Sequence, residues 1–142
     1  MGYTSSKTQL MVGLGMSAIS DSWYAFAQNE KTVEAYQKRV EQGEIPVIKG
    51  HILNDEDLII RKHILNLMCR LRTTWNSETV FPELPLALGA LKEMENDGLV
   101  ELSENSITIT EQGRAFTRNV AMTFDLRMMR NQPETRIFSM TI

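Results

Sequence analysis

Two glycines set in an apolar run are the first residues whose types and spacing bear on chemistry. Gly13-Leu14-Gly15-Met16-Ser17-Ala18 matches the loose dinucleotide-binding pattern of two glycines and a closing small residue. That pattern works when a strand precedes it and a helix opens at the glycines, so that a pyrophosphate meets free backbone N–H groups. Here the glycines fall inside the run 10–20 and no helix opens at them, which points to glycines that let a strand pack close to a neighbour or ligand. Metal and thiol chemistry has little to work with. His51 and His63 belong to no compact ligand spacing and read as core-edge or partly exposed histidines. Cys69 is the single cysteine and reads as a small packing residue beside a helix stripe. Asp55-Glu56-Asp57 could attract a cation, but negative charge at a helix start accounts for it. No metal site is expected. Arg114, Arg118, Arg127, Arg130 and Arg136 gather near the end of the chain, and guanidinium groups suit bidentate contact with carboxylates or phosphates. Solvated surface arginines are the plainer reading.

The elements that must position these residues are legible in outline. The unbroken apolar run 10–20 reads as a strand buried on both faces, the kind found in parallel sheets with helices on either side. Nothing before it supplies neighbouring strands, so the chain is expected to be the tail of a larger protein. A loop or short helix holding Trp23, Tyr24 and Phe26 follows. A helix is expected over 30–42, ended by Gly43 and Pro46, and then an extended segment over 47–53. Asn54 and the acidic first turn open a strong helix over 55–73, with Ile60, Ile64, Leu67, Met68 and Leu71 on one stripe. The tract 73–79 reads as a polar connection. A further helix is expected over 85–96, with Leu84, Leu88, Leu91 and Met94 inward.

Two short strands, 99–102 and 107–110, then form a hairpin around a four-residue polar loop. A last helix over 111–130 carries Phe116, Val120, Phe124 and Met128 at four-residue spacing, and alternation at Ile137, Phe138, Met140 and Ile142 suggests a docked extended terminus. Helix, hairpin, helix is a winged-helix pattern. The expected fold is mainly α with a small β-hairpin: a helical, winged-helix-like domain over 51–142, preceded over 1–50 by a strand and helix left from a parallel β/α barrel.

Composition narrows the function classes. With 42% hydrophobic and 23% charged residues, 142 residues suffice for a packed core. A net charge of -3 gives no overall attraction to nucleic acid. A winged-helix unit over 85–113 could in principle read DNA, but Glu93, Glu95, Asp97, Glu101 and Glu104 would repel phosphates. A protein-docking module is the other alternative. One cysteine fits a reducing compartment, and no apolar run reaches the ~20 residues of a membrane span, so the cytoplasm is expected.

In order along the chain, Met1-Gly2-Tyr3-Thr4, the run Gly13-Leu14-Gly15-Met16-Ser17-Ala18-Ile19-Ser20, Ala27-Gln28-Asn29, Tyr36, Gly50 with Leu53, and Asp57 with Arg61 carry a family resemblance. Leu67-Met68-Cys69, Asp97-Gly98-Leu99-Val100, Thr110 with Gly113, Arg118-Asn119, Phe124-Asp125 and Phe138-Ser139 extend it to the terminus. Together they resemble the C-terminal third of oxygen-independent coproporphyrinogen III oxidase. The resemblance implies a radical S-adenosylmethionine enzyme of haem biosynthesis, an oxidoreductase with a [4Fe-4S] cluster. It removes hydrogen from two propionates of coproporphyrinogen III, which lose carbon dioxide to become the vinyls of protoporphyrinogen IX.

The resemblance also assigns residues. Ile19 matches a position beside bound S-adenosylmethionine, and Met1 falls where some members carry a glutamine at that second cofactor pocket. Arg127, Arg130 and Arg136 become candidates for the carboxylates of the tetrapyrrole substrate. The three-cysteine cluster motif is absent, so no catalytic residue is assigned, and the chain alone is expected to hold neither cofactor and to be inactive. Its part would be to cap the active site and help bind substrate, with no nucleic acid or membrane partner. Its orphan strand is expected to invite self-association.

Overall fold

A computed structural model of the chain describes residues 8–130, which form two compact units dividing between Leu58 and Ile59. The first unit is an antiparallel meander of β1 (Leu10–Met11), β2 (Ile19–Ser22), β3 (Ala25–Asn29) and β4 (Val47–Ile52), in the order β1-β2-β3-β4. Helix α1 (Val33–Glu41) lies between β3 and β4 in sequence. Thr32 caps α1 by accepting the Ala35 N–H at 3.3 Å, and Gly43, at φ 74°, takes the left-handed conformation that ends it. Arg39 ties the helix to the strand that follows it, donating to the Val47 carbonyl at 2.8 Å and pairing with Glu30 and Glu44.

Several expectations fail here. The run 10–20 is not one buried parallel strand: β1 and β2 are separate antiparallel strands, and Leu10, Val12, Leu14 and Met16 are exposed. The reason is local. Gly15 at φ 95° and Ser17 at φ 58° turn the chain, so an apolar pattern that reads as continuous folds into a loop. The neighbours of this sheet come from later in the chain, and β1 is not an orphan, since Leu10 pairs with Ser22 and Met11 with Asp21. Trp23 and Tyr24 form the tight turn of the β2–β3 hairpin instead of a loop or short helix, with Ser22 opposite Ala25, while Phe26 sits in β3. Residue 50 falls inside β4.

Helix α2 (Asp55–Arg70) is opened by a reciprocal cap. The Asp57 N–H donates to Asn54 Oδ1 at 2.8 Å and the Asn54 N–H to Asp57 Oδ2 at 3.1 Å. It leads into the second unit, which contains β5 (Arg72–Thr74), α3 (Leu84–Ala90), α4 (Lys92–Asn96), β6 (Val100–Ser103), β7 (Ser106–Ile109), a 3-10 turn (Gln112–Phe116), α5 (Thr117–Met122) and α6 (Leu126–Arg130). Its sheet is antiparallel in the order β5-β7-β6. Leu67, Leu91, Ile107, Val120 and Phe124 are fully buried at the centre of its core.

Several boundaries in this unit differ from those the sequence predicts. The polar tract after α2 contains β5, because Leu71 at φ 59° ends the helix and Thr73 then pairs with Ile107. The helix over 85–96 breaks at Leu91, which closes α3 and opens α4. The hairpin turn is two residues, Glu104 and Asn105, since Ser103 already pairs with Ser106. The helix over 111–130 splits into three. Gly113 holds its first turn against another backbone, and Thr123 bonds back to the Val120 carbonyl at 2.8 Å, a contact that competes with helix continuation. Phe116 is exposed, whereas Val120 and Phe124 are core. The terminus expected to dock, 137–142, lies outside the described residues, and no described helix is long and apolar enough to cross a membrane.

Candidate functional site

The first unit is built around its glycine loop. A Cβ on Gly13 would lie 2.8 Å from both the carbonyl carbon and the oxygen of Ile19, so only glycine allows the two backbones to meet. The Gly13 N–H donates to Ser20 Oγ at 3.0 Å, and the Gly15 N–H donates to the Tyr36 hydroxyl at 3.1 Å. From the other side Asn29 Nδ2 donates to the carbonyls of Gly13 and Gly15, each at 3.0 Å. Ser17, in its left-handed conformation, is held by its N–H donating to the Glu30 carbonyl at 2.6 Å.

This arrangement decides the chemistry open to the loop. Both glycine N–H groups already have protein acceptors, so they form no free cradle for a pyrophosphate. What remains is a rigid backbone turn presenting apolar side chains. Ile19, the residue placed beside the cofactor by resemblance, opens β2 opposite Gln28 and is 37% exposed. Met1 lies outside the described residues.

Of the substrate-arginine candidates, Arg127 and Arg130 share α6 and are exposed, and Arg130 forms a salt bridge with Glu83. Arg136 lies outside the described residues. Arg114 pairs with Glu111 at 3.1 Å.

His63 departs from its expected place at the core edge. It is 1% exposed, its ring packed in a triangle with Phe81 and Phe124, with centroids 5.9 and 5.7 Å away. Nε2 lies 2.8 Å from the Thr79 carbonyl and must donate to it, so Nδ1 accepts from the Thr73 hydroxyl at 2.8 Å. Burial pushes its pKa below the ordinary histidine value, and Lys62 adds to the effect against the opposing Thr79 bond. A neutral ring holding one tautomer joins α2, β5 and the connection before α3. Cys69 is half-buried, and among the described residues no group of three or more His, Cys, Asp or Glu side chains is placed to hold a metal ion.

Comparison with known proteins places this architecture first in a class. The fold matches a solved Escherichia coli structure described as a radical SAM enzyme, at a TM-score of 0.75 and 32% identity, over 89% of this chain and 30% of that one. That structure is of coproporphyrinogen III oxidase, and curated relatives agree with it. The chain is similar over 99% of its length to oxygen-independent coproporphyrinogen III oxidases from Salmonella typhimurium at 32% identity, Escherichia coli at 31% and Synechocystis at 29%. It spans about one third of the length of these curated relatives, 32% in each case. No family model matches the chain.

In the sequence, Asn29 and Gly113 stand out only as residues of resemblance, and Tyr36 otherwise only as one of the apolar stripe of the 30–42 helix. Their roles depend on contacts far along the chain, 14 and 16 residues for Asn29 and 21 for Tyr36, which local pattern does not carry.

Proposed function

We propose that this chain does the work of the C-terminal third of an oxygen-independent coproporphyrinogen III oxidase, an oxidoreductase of haem biosynthesis that converts two propionates of coproporphyrinogen III to the vinyls of protoporphyrinogen IX. The observation that carries this reading is similarity along 99% of the chain joined to a structural match at 0.75. In this reading residues 1–50 adjoin the enzyme's catalytic barrel, while residues 51–142 form a winged-helix-like cap that closes the active site and helps to bind substrate. The chain order α2, β5, α3, α4, β6, β7, with the three strands arranged β5-β7-β6, supports the winged-helix assignment.

The cofactors separate cleanly on this chain's residues. A [4Fe-4S] cluster of the radical type does not fit, because one cysteine cannot supply its thiolates, so the cluster belongs to the remainder of such an enzyme. S-adenosylmethionine fits as a neighbour: Ile19 and the tight Gly13 backbone offer an apolar wall on a fixed turn. When bound beside the cluster, S-adenosylmethionine supplies the hydrogen-abstracting chemistry. This chain contributes one face of its pocket through Ile19, with Met1 as the second-pocket candidate. Arg127, Arg130 and Arg136 offer cationic partners for substrate carboxylates. Alone the chain is inactive, acts in the cytoplasm only as part of a larger enzyme, and associates through its sheet edge when that partner is missing.

DNA binding is not favoured. Helix α4 exposes Glu93 and commits Lys92 to Glu95 at 2.7 Å, which leaves the reading position acidic. The test is genetic: the coding sequence for this chain replaces the matching third of the Escherichia coli oxidase in a strain without any other coproporphyrinogen oxidase. Anaerobic growth without added haem is expected. A soluble, cluster-loaded hybrid that gives no growth would overturn the reading.

A further inference from the structure

Asn29 is the one buried residue among the described residues of the first unit, at 5% exposure, and it is a polar amide. A buried amide in a unit otherwise half-buried or exposed costs free energy unless its hydrogen bonds are made, and here its side-chain amide and its backbone N–H both donate to one loop. Its backbone N–H donates to the Ala18 carbonyl at 2.9 Å, and its side-chain Nδ2 bridges the Gly13 and Gly15 carbonyls. The β3–β4 register shifts at this point: Gln28 is opposite Lys49 and Asn29 opposite Val47, so Ile48 is the extra residue of β4 and Asn29 sits where the regular ladder is interrupted. Tyr36 completes the latch from α1 by accepting the Gly15 N–H. One side chain from β3 and one from α1 therefore fix the turn that delivers Ile19 to the start of β2.

We propose that Asn29, with Tyr36 in support, is a positioning residue that holds the Gly13–Ser20 turn in the shape required for S-adenosylmethionine to bind against Ile19. The inference rests on the oxidase reading above and adds a residue that touches no cofactor. The bond chemistry makes the demand on residue 29 specific. Two carbonyl oxygens need a donor with two hydrogens, which an amide supplies and a carboxylate does not. Asn29→Asp sets a charge against both oxygens, and Asn29→Ala removes the side-chain donor from both, leaving the Gly15 carbonyl with the Ala18 N–H at 3.4 Å. Tyr36→Phe keeps the ring and removes only the acceptor of the Gly15 N–H.

The test uses two preparations, the chain itself and the Escherichia coli hybrid carrying it. In the chain, Asn29→Ala is expected to speed hydrogen exchange at the Gly15 and Asn29 amides while the amides of β7 are unchanged. In the hybrid, the same change is expected to raise the S-adenosylmethionine KM and Kd about tenfold or more, Asn29→Asp further and Tyr36→Phe less, since a small misplacement of a positioning element costs this order in binding or rate. The coproporphyrinogen KM and the cluster absorbance are expected to hold, a split that general destabilisation would not give. If the variants loosen the loop yet leave S-adenosylmethionine binding within twofold of the unaltered hybrid, the positioning role is refuted while the oxidase reading stands. If the unaltered hybrid, folded and cluster-loaded, does not bind S-adenosylmethionine, the oxidase reading fails and this inference falls with it.

Discussion

Replacing Gly113 with alanine tests the packing of the second unit at its tightest point. The added Cβ would lie 1.9 Å from the Leu99 carbonyl oxygen, 2.8 Å from its carbon and 3.0 Å from Ile109 Cγ2. The first two neighbours are backbone and cannot rotate away. Relief to an ordinary contact demands a shift of roughly 1 Å or more, which overpacking data put at about 1–3 kcal/mol. The same oxygen accepts from the Thr110 N–H and lies within reach of the Thr110 hydroxyl, both at 3.1 Å, and that hydroxyl in turn accepts the Gly113 N–H at 3.1 Å. Disturbing two of these bonds adds about 0.5–1.5 kcal/mol each. The sum is about 2–6 kcal/mol, or a fall in Tm of at least about 8 °C for a unit of this size. Urea unfolding of Gly113→Ala followed by circular dichroism measures it. A midpoint indistinguishable from the unaltered chain would refute the claim that residue 113 must be glycine for steric reasons.

Thr110→Val removes the hydroxyl that serves Gly98, Leu99 and Gly113, and is expected to lose about 1–2 kcal/mol in the same unfolding assay. His63 is held neutral by burial, so the unfolded chain takes up a proton from about pH 6.5 downward while the folded chain resists. Its contribution is therefore present above that pH and declines as pH falls below it, and the stability difference between the unaltered chain and His63→Gln should narrow from pH 7.5 to pH 5. A constant difference would count against a neutral buried ring. In the hybrid enzyme, Arg127→Gln is expected to raise the coproporphyrinogen KM with the S-adenosylmethionine KM unchanged, and unaltered substrate affinity would remove the arginine from the substrate site.

What the sequence made legible was mainly local. The ends of α1 and α2 follow from side chains that bond their own backbone: Thr32, Gly43, and the Asn54–Asp57 pair. The β6–β7 hairpin follows from alternation and a polar turn. The run 10–20 was misleading because apolar continuity does not distinguish a buried strand from an apolar loop, and the left-handed residues that make the turn include a serine as well as a glycine. Leu91 and Thr123 break helices that periodicity alone would continue. Within the candidate site, Ile19 could be reached through resemblance, but the Asn29 latch could not be found locally, since it depends on a bulge and on partners across the meander.

In the proposed function, this chain completes an enzyme like the oxidases to which it is similar over 99% of its length. The most direct measurement is an anaerobic assay of the purified hybrid in which this chain replaces the matching third of the Escherichia coli oxidase, supplied with S-adenosylmethionine, a low-potential reductant and coproporphyrinogen III. Protoporphyrinogen IX is expected from the hybrid and none from this chain alone. A folded hybrid with its cluster intact and S-adenosylmethionine bound, yet forming no vinyl product, would contradict the proposed function.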